Sequence, residues 1–145
     1  MPDVFIIMGK TKTKKSATIR ALTGVFHGKD WKVATQNETI DIFVQVRALQ
    51  EAKISPKNFI RQRNGSLNIL VCLWISKGNG QPDGDTYIKA FLKARWNIKE
   101  IVVLGTEKLP YDLPQDTPKP KFIHDSQNRP ANWIASQVRG WWRWL

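Results

Sequence analysis

Residues 3–24 read DVFIIMGKTKTKKSATIRALTG, and this stretch decides the fold. Asp3–Met8 is a short apolar run closed by Gly9, the pattern of a buried strand. Lys10–Lys15 carries only Lys and Thr and reads as a loop. Ser16–Leu22 (SATIRAL) follows as a helix, stopped by Gly24. Strand, basic loop and helix in that order open an α/β unit.

The elements on either side extend the pattern. Trp31–Thr35 is a weak second strand. Thr39–Val46 alternates, with Ile40, Ile42, Val44 and Val46 on one side and Asp41, Phe43 and Gln45 on the other. That is a half-buried strand. Ser55-Pro56 is a cap with proline at the first helical position, and predicts a helix through Arg63. After the Asn64-Gly65 turn, Leu67–Ile75 (LNILVCLWI) reads as a central strand. Ser76–Gly84 is a loop by composition. Asp85 is expected to cap a helix running to about Trp96, with Tyr87, Ile88, Phe91, Leu92 and Trp96 on one face. Ile98–Leu104 is another strand, ending at Gly105.

Five of the eight prolines then lie between Pro110 and Pro130, which predicts an extended segment without helix or sheet. Asn128 or Asn132 is expected to cap a last helix, on which Ile134, Val138, Trp141, Trp142 and Leu145 fall at helical spacing. The order predicts an α/β fold with a mainly parallel central sheet of about five strands and helices on both faces. Residues 1–108 form the α/β domain. Residues 109–145 add a Pro-rich extension and a Trp-rich helix packed on the same domain.

The 145 residues carry a formal charge of +11 and seven tryptophans. The excess is clustered. Lys10, Lys12, Lys14, Lys15, Arg20 and Lys29 fall in a segment with no acid, and Lys119, Lys121, Arg129, Arg139 and Arg143 stand against Asp125. Clustered positive charge predicts an anionic partner. The one cysteine, Cys72, excludes an internal disulfide and a Cys-rich zinc site, and fits a reducing cytoplasmic compartment. No apolar stretch approaches the roughly 18 residues of a membrane span, so no membrane partner is expected. No signal peptide is apparent. His27 and His124 have no ligand-spaced partners.

Phe5–Gly24 resembles the phosphate-binding loop of the P-loop NTPases, in which a strand leads into G-x-x-x-x-G-K-[ST] and then a helix. Gly9 matches the first glycine, and Lys15 and Ser16 match the closing pair. The resemblance implies a three-layer P-loop-like fold and a phosphate site at Gly9, Lys10, Thr11, Lys12, Thr13, Lys14, Lys15 and Ser16. Backbone N–H groups and a helix start form the nest there. By the same resemblance Lys15 reaches the phosphates and Ser16 helps hold Mg²⁺. Two positions depart from the pattern. Lys14 replaces the second glycine, which strains the backbone if the loop keeps its shape. No acid ends the Leu67–Ile75 strand, which leaves Asp41, Asp83 or Asp85 to complete a metal site, with Ser16 and Asp41 the candidate pair.

The reading expected from these features is a degenerate P-loop-like protein that binds nucleic acid or a nucleotide without efficient hydrolysis. Arg139, Arg143 and Trp144 are the candidate extension of the surface, with Trp144 expected to be exposed. Two alternatives remain. One is a small Mg²⁺-dependent NTPase or nucleotide kinase, with a nucleotide and Mg²⁺ bound. The other is an interaction module with a relic loop, meeting a protein partner or a second copy through the C-terminal helix.

Overall fold

The computed structural model describes residues 1–145. Its elements are β1 (Asp3–Gly9), α1 (Lys15–Thr23), β2 (Lys29–Ala34), β3 (Thr39–Val44), α2 (Pro56–Arg63), β4 (Asn68–Trp74), α3 (Gly84–Lys93), β5 (Asn97–Leu104), β6 (Lys121–Ile123) and α4 (Ala131–Trp142). A 3-10 turn, Ser126–Asn128, precedes α4. All six strands form one sheet in the order β2-β3-β4-β1-β5-β6. Every neighbouring pair is parallel except β2 with β3. The protein is therefore α/β, with a mixed, mostly parallel sheet.

Apolar content explains the order. Val4–Met8 of β1 and Ile69–Leu73 of β4 are buried without alternation, because helices cover both sides. Phe5 and Ile7 face one core, with Ile19 and Leu22 of α1 and Ile134 and Val138 of α4. Val4, Ile6 and Met8 face the other, with Phe59 of α2 and Tyr87, Ile88 and Phe91 of α3. Ser55 caps α2 by accepting the Asn58 N–H at 3.1 Å. Asp83, not Asp85, caps α3, accepting the Thr86 N–H at 2.9 Å. Asp85 lies inside the first turn and pairs with Lys89 at 2.7 Å.

Three expectations for the end of the chain are corrected. The Pro-rich segment is not free of sheet: Lys121–Ile123 pairs with Val102–Leu104 as a sixth strand. Neither Asn128 nor Asn132 caps the last helix; its N-cap is Pro130, with no side-chain cap. Trp144 is also not exposed. Arg143 takes a left-handed conformation (φ 57°) that ends α4 and turns the chain back. Trp144 then bridges Thr35, the Leu145 N–H donates to the Ala34 carbonyl, and the Trp144 ring packs on Phe5 at 5.2 Å and on Trp142 at 5.1 Å. The Trp142 and Trp144 rings therefore belong to the core.

The connections out of the central strands differ in side. From β1 the chain passes to α1 on one face, while from the adjacent β4 it passes to α3 on the other. Loops that diverge from neighbouring parallel strands leave a crevice beyond their carboxyl ends, where α/β proteins place ligands. Residues 10–14 lie there. No helix is long and apolar enough to cross a membrane.

Candidate functional site

The loop after β1 is shaped by residues far along the chain. Gly9 is needed at its base, since a Cβ there would lie 2.5 Å from Thr13 Oγ1 and 2.8 Å from the Leu104 carbonyl. Thr13 is buried, and its hydroxyl donates to the Lys10 carbonyl at 2.7 Å. The buried Ser126 hydroxyl donates to the Thr13 carbonyl at 3.0 Å. The Thr13 side chain packs over Gly105, whose left-handed φ of 81° and lack of Cβ make room for it.

Lys12 and Lys14 both have positive φ, 61° and 69°. Left-handed residues inside a turn aim successive N–H groups inward, forming an anion-accepting concavity. Lys14 is also the N-cap of α1, makes no side-chain cap bond, and is followed by no acid in the first turn. Its ammonium turns away from the loop and donates to the Arg129 carbonyl at 2.6 Å. Lysine at this φ costs about 1–2 kcal/mol relative to glycine. Lys14→Gly should therefore stabilise the chain by about 1 kcal/mol, read as a melting temperature about 3 °C higher. A fall would mean that the Arg129 contact outweighs the strain.

Lys15 is buried at 7% exposure. Its ammonium donates to the Lys10 carbonyl, and lies 3.4 Å from Thr13 Oγ1. None of the four ion pairs of the protein includes a residue of this loop. Burial lowers the Lys15 pKa below the ordinary lysine value, with Cys72 and Glu51 opposing the shift. Burial also pushes the Cys72 thiol up to about 12, so that sulfur is an inert core group.

A cavity of about 310 Å³ opens on the loop, and Lys12, Lys14, Lys15, Ser16, Glu51 and Trp74 line it with others. Glu51 is its one carboxylate. Trp74 ends β4 in register with Gly9. Behind it Gln50 is fully buried: its amide accepts the Trp74 N–H at 2.9 Å and donates to the Trp74 carbonyl at 3.0 Å. The side chain thereby extends the ladder as a peptide would, and delivers Glu51 to the cavity. Neither Gln50 nor Glu51 stands in any motif of the sequence, so spacing alone could not single them out.

The residues expected to join the loop are dispersed. The Ser16 hydroxyl donates to the Val46 carbonyl at 3.0 Å. Asp41 sits near the start of β3, paired with Lys32 at 2.5 Å. The strand register puts it about 20 Å from the loop. Ser16 and Asp41 therefore cannot share Mg²⁺, and no group of three or more metal-ligating side chains occurs anywhere. Arg139 donates to the Ala21 carbonyl at 2.7 Å, tying α4 to α1. Arg143 and Trp144 follow the far end of α4, whose length alone, about 18 Å, separates them from the loop. No family model, no curated protein and no solved structure matches the chain.

Proposed function

We propose that Gly9–Ser16 binds a phosphate group of a nucleic acid or nucleotide without efficient hydrolysis, in a domain that is a reduced relative of the P-loop NTPases. Lys15 carries this reading. A buried ammonium with no paired carboxylate is costly, and an anion in the adjoining cavity relieves the cost. Backbone N–H groups around Lys12 and Lys14, both at positive φ, and the uncapped start of α1 are the neutral donors of this reading. The exposed Lys10 and Lys12 add charge. A tryptophan rather than an acid ends β4, which favours binding over hydrolysis.

One observation favours the enzymatic alternative. Glu51 shares the cavity with Lys15 and Ser16, so a phosphate-bound Mg²⁺ would find one carboxylate and one hydroxyl there. Calorimetric titration with ATP, ADP and pyrophosphate, paired with turnover assays of the wild type and Glu51→Gln, separates the readings. Binding with or without Mg²⁺ and no turnover is the expected result. Mg²⁺-dependent turnover lost in Glu51→Gln would establish an NTPase or nucleotide kinase. No heat with any phosphate ligand would overturn the proposal.

A further inference from the structure

Beside the loop lies an aromatic group outside every motif of the sequence. Trp133, in the first turn of α4, is 38% exposed. The Arg129 guanidinium lies 4.5 Å from its ring centroid. Arg129 in turn donates to Asp125 at 2.9 Å, which neutralises its charge and fixes its plane. That pairing holds the Asp125 carboxyl below the usual range. The Arg129 carbonyl is the acceptor of the Lys14 ammonium. Ring and guanidinium are thus tied to the phosphate loop through the Arg129 carbonyl and Lys14, and Lys10 and Lys12 of that loop are exposed.

We infer that this surface holds a single strand of nucleic acid, one phosphate in the Gly9–Ser16 loop and the base of a nearby nucleotide stacked on Trp133. The inference rests on the phosphate-binding reading and narrows it. A free nucleotide also carries a base, so an equal loss of ATP binding in Trp133→Ala would assign the ring to a mononucleotide and overturn the inference. An acidic peptide has charge but no base to stack. In a duplex the base faces are already covered, whereas a single strand offers both a phosphate and open base faces. Arg129 braces the ring before binding, which lowers the ordering cost.

The test is fluorescence anisotropy with a labelled 12-nucleotide oligothymidylate, beside calorimetric titration with ATP, on the full chain. Trp133→Ala should weaken the oligonucleotide about 5- to 100-fold, leave ATP binding unchanged, and be largely rescued by Trp133→Phe. Trp31→Ala is the control: that ring is also exposed and lies under Lys29, but on the edge strand β2, and its loss should change nothing. Affinity should fall with salt by about 0.7 log unit per log unit for each phosphate held. Unchanged oligonucleotide binding in Trp133→Ala would overturn the inference. So would a blunt duplex or polyglutamate competing as well as the single strand. If ATP binds and the oligonucleotide does not, this inference falls alone; if neither binds, the phosphate reading falls with it.

Discussion

Lys15→Met is expected to lose phosphate-ligand affinity by at least about 100-fold while raising the melting temperature by about 3 °C. The two effects have one cause. The ammonium is buried without a carboxylate partner, and burial lowers its pKa, so folding is penalised for keeping it charged. Methionine keeps much of the stem volume and removes the charge. The Lys10 carbonyl keeps a donor in the variant, the Thr13 hydroxyl at 2.7 Å. The pH dependence has a definite sign. The folded-state pKa lies below the ordinary 10.5, so the unfolded chain binds the proton more tightly. The penalty is full at neutral pH and shrinks as pH rises through the folded-state pKa toward 10.5. The variant's advantage should be largest near pH 7 and narrow toward alkaline pH. A destabilised Lys15→Met with intact binding would refute the assignment of Lys15 to the ligand.

Trp144→Ala should cost about 3–5 kcal/mol in urea unfolding, a large share of a typical domain's stability. The ring is 4% exposed and meets Phe5 and Trp142 edge-on. The Trp144 backbone N–H donates to the Arg139 carbonyl at 3.0 Å, and the same residue bridges Thr35. Truncation opens a cavity between α4 and the sheet that flanking elements cannot collapse to fill. An exposed contact residue would cost under about 0.5 kcal/mol, and a value that small would remove Trp144 from the core.

The strands that build the middle of the sheet were legible because burial on both faces leaves a continuous apolar run, as in Asp3–Met8 and Leu67–Ile75. α2 was legible because Ser55-Pro56 states its start. β6 was not, since three residues flanked by prolines have no period, and their pairing depends on β5. Trp144 misled because its neighbours Arg143 and Leu145 are exposed; only the left-handed turn at Arg143 sends the ring inward. A loop between β1 and α1 was legible from the Lys/Thr stretch that follows the apolar run, and Lys14 has a positive φ there. The other cavity walls were not: Glu51 and Trp74 reach Lys15 through sheet order and the Gln50 ladder. Asp41 was a plausible acid by sequence, but strand direction places it at the wrong end.

The bond from Ser126 to the Thr13 carbonyl has a consequence in time. The loop residues leave the ribosome before the distant groups that shape them: Val46, then Gly105, then Ser126 and Arg129. Each of these contacts is long-range, the kind that forms late in folding. A nascent chain that has emerged only through β4 therefore displays a flexible lysine-rich tether, attractive to any polyanion nearby but without a formed nest. On the proposed reading, selective phosphate binding waits for the contacts of Ser126 and Arg129 with the loop, so unselective attraction and selective binding would belong to successive stages in the life of one molecule.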